Sequence, residues 1–333
     1  MTSLERLNNR LAGKPVDKIP NLNIVMAVVA REAGVSYKEY VNDYRKLVEG
    51  NIICAEKYGL DSVSVISDPM REAAAFGAAV VFPENAVPYA EKPLIGDDFD
   101  LSVLNRFDPE DSERTLDRLK AIDLLRQKTG NNYPVIGWVE GCIAEAADLR
   151  GINEFMMDLA AEEDYLEDFF PIIHEQQKRF ALAQLKAGAD FVGVGNAAAS
   201  LIGPDLYRKY GLIWDKAIVD YIHNNGGRVK LHICGNITPL LEILTEAEPD
   251  ILDIDWMVDF NRAINIFKKT KTAISGNMDP VEIIMRGTVS QVEDAVRRCI
   301  QAGTDTTCIA GGCEIPAAAP EENLIAMDRV LYR

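Results

Sequence analysis

Long apolar runs are missing from this sequence of 333 residues, and so is an excess of positive charge. No segment approaches the ~20 apolar residues that a membrane-spanning helix needs. Charged residues interrupt the first twenty positions, where a signal peptide would have its apolar core. The formal net charge is −17, which repels phosphate backbones and anionic lipid surfaces. These absences predict a cytoplasmic protein that binds neither nucleic acid nor membranes.

Cysteine and histidine are also scarce. Six cysteines in a chain of this length do not form a disulfide framework, so we expect their thiols to be reduced and free to bind metal. The sequence has three histidines, and a histidine close to a cysteine is therefore informative. His232 and Cys234 form such a pair.

A glycine-rich phosphate-binding fingerprint is absent as well. Neither G-x-G-x-x-G nor a Walker-type loop occurs, which argues against a doubly wound nucleotide-binding sheet. Instead, short runs rich in Val and Ile alternate with segments of helical length. We predict strands at 19–28, 62–66, 134–139, 190–194, 228–233, 251–255, 272–275 and 306–310. Eight strands, each followed by a helix, are the count of an α/β protein of the (β/α)8 TIM-barrel class.

The helical segments between these runs include 36–58, 204–225 and 238–246. Residues 1–18 are predicted to form a short N-terminal helical extension, which a capping box begins. The proline-rich connection at 67–106 is the longest, and we expect it to fold over the barrel mouth. No repeat or linker is evident, so the whole chain, 1–333, is predicted to form a single TIM-barrel domain.

Active sites of such barrels lie at the carboxyl ends of the strands. His232 and Cys234 end the fifth run and Cys313 follows the eighth, so all three belong to that face. An imidazole and two thiolates suit zinc, and three protein ligands leave open the fourth position of a catalytic site. The alternative is a buried histidine beside a core cysteine. Cys308 competes for the second thiolate, but it lies inside the eighth run, where a side chain packs.

More polar residues follow the other runs: Asp68, Glu140, Asn196, Asp255 and Asn277. The three acids are candidates for proton transfer or for tuning the metal, and the two asparagines are candidates for cofactor binding. Asp255 is also a candidate for a fourth ligand, or for the partner that orients His232.

Each of these acids also has a simpler interpretation. Asp68 could cap the next helix, since Pro69 suits a first helical position. Glu140 could belong to a solvated helix face, and Asp255 could be a plain carboxylate at a strand end. The sequence does not choose among these readings.

Four motifs carry a family resemblance: Leu231-His232-Ile233-Cys234-Gly235-Asn236, Asp253-Ile254-Asp255, Gly276-Asn277-Met278-Asp279-Pro280 and Gly311-Gly312-Cys313-Glu314-Ile315-Pro316. With them the chain resembles the uroporphyrinogen decarboxylase superfamily over nearly its whole length, and within it the zinc-dependent corrinoid methyltransferases. In that branch the His-x-Cys motif and a late cysteine bind zinc. The resemblance therefore implies His232, Cys234 and Cys313 as zinc ligands.

The decarboxylase branch of the superfamily matches less well. Its arginines hold the acidic side chains of a porphyrinogen; Arg31 matches the first of them, but Val35 stands at the second. Asp68 does match the region of the decarboxylases' catalytic aspartate. Cofactor-free decarboxylation therefore stays as an alternative, although it has no use for the three zinc ligands.

The resemblance implies that a methyl group moves between a small substrate and the cobalt of a corrinoid. A separate protein would carry the corrinoid, since the Asp-x-His-x-x-Gly motif is absent. Zinc would act on a methyl ether that donates its methyl group, or on a thiol of the coenzyme M type that accepts one. We favour a methylated donor such as a methoxylated aromatic, because Gly141-Cys142-Ile143-Ala144 departs from the Gly-Pro-Phe-Thr of many relatives. A metal-stabilised binding module is the non-enzymatic alternative.

Overall fold

A computed structural model describes residues 1–332 of the chain. Its strands are β1 (Val63–Ser64), β2 (Val80–Val81), β3 (Tyr89–Ala90), β4 (Val135–Glu140), β5 (Phe191–Gly195), β6 (Arg228–Ile233), β7 (Ile251–Ile254), β8 (Ala273–Met278) and β9 (Cys308–Gly311). Strands β1 and β4 to β9 form one parallel sheet in chain order, and β2 and β3 form a separate antiparallel hairpin. A parallel sheet in chain order, with helices between its strands, is the arrangement of a TIM-type barrel, so the predicted fold class is confirmed.

The first predicted strand is replaced by an irregular segment that closes the barrel. The Leu22 N–H donates to the Ile309 carbonyl in β9, and the Asp61 N–H, just before β1, donates to the Asn21 carbonyl. The segment therefore lies between the first and last strands of the sheet. Pro20 has no N–H to give to a ladder. The expectation of eight regular strands is wrong at this one position.

Helices surround the sheet. They are α1 (Ser3–Leu11), α2 (Ala27–Glu32), α3 (Tyr37–Asn42), α4 (Tyr44–Tyr58), α5 (Met70–Phe76), α6 (Glu113–Thr129), α7 (Cys142–Arg150), α8 (Ile152–Ala161), α9 (Leu166–Lys186), α10 (Pro204–Leu206), α11 (Leu212–Asn224), α12 (Leu241–Leu244), α13 (Phe260–Phe267), α14 (Val289–Ala302) and α15 (Glu321–Arg329). None of these helices, within residues 1–332, is long and apolar enough to cross a bilayer.

Three predicted helices are interrupted. The helix expected at 36–58 breaks at Asp43, whose backbone is extended and whose side chain caps α4. A π-helical segment, Tyr207–Gly211, divides the helix expected at 204–225. The segment at 238–246 forms a 3-10 turn and the short α12. Local hydrogen bonds at these points override the periodicity on which the expectations rested.

Helix α1 closes the amino-terminal end of the barrel. It begins with the predicted capping box, in which Thr2 and Glu5 bind each other's backbone N–H groups. Arg6 anchors it by binding Asp61 at 2.5 Å. Leu7 is fully buried in a cluster with residues at the amino-terminal ends of four strands: Ile136, Phe191, Ile251 and Cys308. Apolar packing therefore fills this end of the barrel.

The long connection between β1 and β4 has structure of its own. It contains α5, the β2–β3 hairpin and a 3-10 turn at Leu101–Val103. The N–H groups of Leu94 and Ile95 both donate to the Leu149 carbonyl. These bonds hold the connection against α7, the helix that follows the carboxyl end of β4.

Candidate metal centre

His232 on β6, Cys234 just beyond it and Cys313 beyond β9 meet at the carboxyl end of the barrel. The Nε2 atom of His232 lies 3.0 Å from the Cys234 Sγ and 3.8 Å from the Cys313 Sγ, and the two sulfurs are 3.5 Å apart. Ligand atoms around a tetrahedral zinc ion lie about 3.5–3.8 Å from one another, given the usual bond lengths. The three side chains therefore fit Zn²⁺ as three corners of a tetrahedron. Within residues 1–332, no other group of three or more such ligands is as compact.

Two glycines allow the loops to bring these ligands together. Gly235 has φ +85°, in the left-handed region that other residues avoid. A Cβ atom on Gly312 would lie 2.1 Å from the backbone nitrogen of Trp256. The loop after β9 can therefore pass the loop after β7 only because residue 312 has no side chain.

Asp253 holds the His232 ring. The two residues are in register on β7 and β6, and the His232 Nδ1 lies 3.0 Å from a carboxylate oxygen of the fully buried Asp253. At this distance Asp253 raises the pKa of His232, and His232 in turn lowers that of Asp253. The Nζ atom of Lys230 lies 3.3 Å from the same carboxylate oxygen, Oδ2.

Of the three roles considered for Asp255, its contacts fit that of a carboxylate at a strand end. Its carboxylate accepts the N–H groups of Gly235 at 2.9 Å and Met257 at 3.0 Å. Asp255 therefore organises the loops after β6 and β7, and its side chain does not belong to the compact ligand group. Two residues back along the strand, Asp253 occupies the position that the sequence reading gave to Asp255.

The cluster favours the thiolate form of Cys313. A hydrogen bond from Cys234, opposed by burial and aided by His232, lowers the pKa of the Cys313 thiol to about 5. The same bond, together with burial, raises the pKa of Cys234. Burial lowers the pKa of His232, but Cys234 and Asp253 raise it by more. Thiolate is the form of cysteine that binds metal.

A cavity of about 170 Å³ opens beside the metal ligands. Besides the three ligands, its walls are formed by Ile24, Met26, Ile66, Asp68, Pro69, Trp138, Glu140, Gly195, Ala197 and Glu314. Glu140, Gly195 and His232 are in register on neighbouring strands. A Cβ on Gly195 would lie 2.8 Å from the Trp138 Nε1 and 3.1 Å from the Glu140 Oε2. Glycine at this position therefore leaves room between the carboxylate and the metal ligands.

Glu140 lines the cavity from β4, which β5 separates from the strand of His232. Its Oε1 accepts a hydrogen bond from Arg71 at 2.8 Å, whereas its Oε2 has no hydrogen-bond partner in the described part of the chain and lies beside Gly195 on the cavity. Burial, opposed by Arg71 and reinforced by Glu72, raises the pKa of Glu140 to about 8. The alternative in which Glu140 belongs to a solvated helix face is therefore wrong, because the residue is 7% exposed.

More acids stand behind Glu140. Burial raises the pKa of Glu145 and Asp148 on α7 well above the ordinary range, and it also raises that of Glu72. Neither carboxylate oxygen of the buried Glu145 has a hydrogen-bond partner among residues 1–332. Arg71, fully buried, is the cation that faces these groups. This wall therefore contains more carboxyl groups than positive charges.

Asp68 lines the cavity and accepts the first N–H of α5, although Pro69 rather than Asp68 is the N-cap residue of that helix. Its Oδ1 accepts the Met70 N–H at 3.0 Å, and its Oδ2 accepts from Ser67 and Arg114 at 2.6 Å each. Burial raises the pKa of Asp68, but Arg114 and Arg71 lower it by more, so the net pKa lies below the usual range. Both oxygens are thus engaged, and the carboxylate is held ionised.

The two asparagines predicted to bind a cofactor do not line this cavity. Asn196 is fully buried; its amide donates to Asp215 and its oxygen accepts the Ala144 N–H. Asn277 donates to the backbone carbonyls of Asp255 and Val258. The side chain of Asn196 therefore joins α7 to α11, whereas that of Asn277 supports the loop after β7.

Sequence reasoning missed several groups that shape the site: Lys230, Asp253, Arg71, Arg114 and Trp138. Strand parity could have revealed Asp253, since residues i and i+2 share a face and Asp253 is in register with His232. No sequence pattern indicates that Arg71 and Arg114, 43 positions apart, serve the same wall.

Known proteins match most or nearly all of the length of this chain. The methylcobamide:CoM methyltransferase MtbA of Methanosarcina mazei is 28% identical, over 98% of this chain and 96% of its own. MtaA of Methanosarcina barkeri, also named a methylcobamide:CoM methyltransferase, is 25% identical over 97% of this chain and 95% of its own. A uroporphyrinogen decarboxylase of Carboxydothermus hydrogenoformans is 25% identical over 76% of each chain.

Solved structures support the fold. A methyltransferase from Methanosarcina mazei has a TM-score of 0.90 at 23% identity, covering 99% of this chain and 98% of its own. A B12-independent methionine synthase from Shewanella sp. W3-18-1 has a TM-score of 0.62 at 10% identity, covering 95% of this chain and 97% of its own. Residues 2–331 match the model of the family named uroporphyrinogen decarboxylase (URO-D). The resemblance seen in the sequence is confirmed: the chain belongs to the uroporphyrinogen decarboxylase family.

Proposed function

We propose that this protein is a zinc-dependent methyltransferase that moves a methyl group between a small substrate and the cobalt of a corrinoid on a separate protein. The observation that carries the proposal is the ligand set of His232, Cys234 and Cys313 beside a mostly apolar cavity. A structural zinc site is normally closed by a fourth protein ligand. No fourth ligand joins this set within residues 1–332, which supports a catalytic role over a metal-stabilised binding module.

When bound, Zn²⁺ supplies Lewis-acid chemistry that lowers the pKa of a thiol or makes an ether oxygen a better leaving group. The residues of the chain prepare the site for this chemistry. Asp253 and Lys230 fix the His232 ring. The apolar lining excludes water, and Glu140 offers its free oxygen to a group in the cavity.

We favour a methylated oxygen compound, such as a methoxylated aromatic, as the methyl donor. Trp138 and its apolar neighbours suit a flat ring. Reduced Co(I) on the partner would attack the methyl carbon, the C–O bond would break, and its electron pair would stay on the oxygen. Glu140, with a pKa of about 8, is a source in the same cavity for the proton that the oxygen takes up. Asp68 is less suited, because its oxygens are engaged and ionised.

Methylation of a thiol by a methylcorrinoid is the second candidate. The relatives MtbA and MtaA are named methylcobamide:CoM methyltransferases, and the same three ligands suit a thiol substrate. Demethylation and S-methylation both need a corrinoid partner, and the two candidates differ in the small molecule and in the direction of methyl transfer.

A rim of exposed apolar side chains supports docking of a protein partner at the site. Leu201, in the loop after β5, is 62% exposed, and Trp256 and Met257, in the loop after β7, are 44% and 50% exposed. These loops flank Gly235 and Cys234, since Ser200 lies beside Gly235 and Asp255 binds it. Exposed apolar groups around a site are typical of a protein interaction surface.

Decarboxylation of a porphyrinogen is not supported by Arg31. Its guanidinium donates to the carbonyls of Ala317 and Ala319 and binds Glu32. Arg31 does not line the cavity, so it is not available there for an acidic substrate.

Zinc analysis combined with two activity assays tests the proposal. The purified protein would be assayed for demethylation of methoxylated aromatics with reduced cobalamin, and for S-methylation of thiols with methylcobalamin. We expect about one zinc ion per chain, and we expect Cys313→Ala to lose both zinc and turnover. Cys299→Ala, a buried cysteine on α14 outside the site, should keep both. Full activity in Cys313→Ala would contradict the proposal.

A further inference from the structure

We infer that the small molecule bound in this cavity carries no negative charge away from its reacting atom, and that it presents a hydroxyl or an ammonium group to Glu140. The inference rests on the proposed function, because it concerns the substrate of the same site. It predicts that coenzyme M, whose thiol carries a sulfonate, is a poor acceptor for this protein.

The part of the cavity lining that contains Asp68 and Glu140, the carboxylate wall, offers no free positive charge to an anion. Asp68, Glu140 and Glu314 line the cavity, and none of its described lining residues is Lys or Arg. The arginines behind this wall are buried and paired. Arg71 binds Glu140 at 2.8 Å and lies 3.4 Å from Glu72, and Arg114 binds Asp68 at 2.6 Å.

The wall formed by the three metal ligands, the metal wall, offers no free positive charge to an anion either. Two thiolates, from Cys234 and Cys313, balance the two positive charges of a zinc ion held there. Lys230 is 2% exposed, binds Asp253 and donates to the Leu22 carbonyl below the cavity. A reacting thiolate would add one negative charge of its own to this wall.

An anionic group would therefore lose its hydration in a mostly apolar space and find no counter-charge. Protonation of a carboxyl group in the cavity lining would reduce this cost little, since a carboxylic acid supplies an O–H but no positive charge. The free Oε2 of Glu140 lies across Gly195 from the metal ligands. It is therefore placed to meet the far end of a short molecule whose near end reacts, and it suits a hydrogen-bond donor.

Three thiols of matched length separate the possibilities: 2-mercaptoethanol, 2-aminoethanethiol and 2-mercaptoethanesulfonate, which are neutral, cationic and anionic at the far end. Binding of each to the zinc-loaded protein would be measured by calorimetry, and S-methylation would be measured with methylcobalamin. We expect the sulfonate to bind at least about tenfold more weakly than the neutral thiol.

Two glutamate variants locate the effect. Glu140→Gln keeps the size of the side chain and an oxygen for Arg71, and it should remove any advantage of the amine over the hydroxyl. Glu246→Gln is the control, because Glu246 is exposed, pairs with Arg208 and lies near the amino-terminal start of β7. We expect it to leave all three affinities unchanged.

The outcomes separate this inference from the proposed function. Sulfonate binding as tight as that of the neutral thiol would overturn the inference, and so would failure of all three thiols to bind. The expected order of binding without any methyl transfer, to thiols or from methyl ethers, would uphold the charge preference and contradict the proposed function instead.

Discussion

The two walls of the cavity are built on different principles. On the metal wall each group has a fixed position: His232 faces Asp253 in register, and glycines let the two cysteine loops converge. On the carboxylate wall, two arginines, Arg71 and Arg114, face a larger number of buried acids, which are Asp68, Glu72, Glu140, Glu145 and Asp148. One wall therefore fixes geometry, and the other sets charge and protonation.

One group on each wall, Cys313 and Glu140, shows a large pKa shift, and the two shifts have opposite directions. On the metal wall the Cys313 pKa falls to about 5, because neighbouring donors stabilise the thiolate. On the carboxylate wall the Glu140 pKa rises to about 8, because burial outweighs its arginine partner. A site with a ready anion on one side and a ready proton on the other suits a reaction that breaks a bond to a metal-held atom and protonates the product.

Removing the cation from the carboxylate wall should have the largest effect. Arg71→Met leaves Glu140 and Glu72 buried without their partner, and loss of one member of a buried ion pair costs about 3–5 kcal/mol of unfolding free energy. Denaturant unfolding would measure this. Arg286→Met, at an exposed pair with Glu282, should change stability by less than about 0.5 kcal/mol. Equal losses of unfolding free energy in the two variants would contradict the stabilising role of the buried Arg71.

On the metal wall, Asp253→Asn should weaken zinc binding while preserving the fold. The neutral amide no longer holds the His232 ring by charge, and loss of such a supporting carboxylate typically lowers metal affinity about 10- to 100-fold. Competition with a chelator would measure the affinity. Asp259→Asn, which alters a helix cap outside the site, is the control. An unchanged affinity in Asp253→Asn would place the orienting contact elsewhere.

The pH dependence of stability sharpens the contrast between the walls. The folded-state pKa of Glu140, about 8, lies above its ordinary value of 4.5, so the folded protein binds more protons than the unfolded chain. The free energy of unfolding should therefore fall as pH rises from about 4.5 to 8. Glu140→Gln should reduce that slope by at most about 1.4 kcal/mol per pH unit. Unfolding curves at a series of pH values would show no change of slope if Glu140 titrates normally.

Filling the gap between the walls should have the smallest effect. Gly195→Ala places a Cβ 2.8 Å from the Trp138 Nε1, so the ring must shift, and mild overpacking costs about 1 kcal/mol. We expect a rise in substrate KM of about fivefold with normal zinc content. Gly203→Ala, where a Cβ meets nothing within 4 Å, should leave KM unchanged. A KM unaffected by Gly195→Ala would mean that substrate does not occupy this gap.

Much of the metal wall could be predicted from the sequence. The three ligands follow buried strands, and strand ends meet at one face of a barrel, so local patterns suffice. The role of Asp255 is less direct to predict: both Asp253 and Asp255 lie near the end of β7, and the turn after the strand directs the second one to backbone N–H groups. The choice between them depends on where the strand ends.

The carboxylate wall could be predicted only in part. Asp68 and Glu140 follow strands and were recognised as candidates, but their protonation depends on Arg71, Arg114, Glu145 and Asp148. Those residues come from α5, α6 and α7, and tertiary packing alone brings them together. The irregular segment at the first predicted strand is a similar case, because its backbone hydrogen bonds depend on β9 and on Asp61, which are distant in the sequence.

The packing of α1 has a kinetic consequence. Because Leu7 and its apolar neighbours fill the amino-terminal end of the barrel, everything that reaches the metal ligands arrives through the opposite opening. A small substrate and a bulky corrinoid protein would thus share a single passage. Binding should then be compulsorily ordered, with the small molecule first, and an excess of the corrinoid protein should inhibit turnover by trapping the empty enzyme.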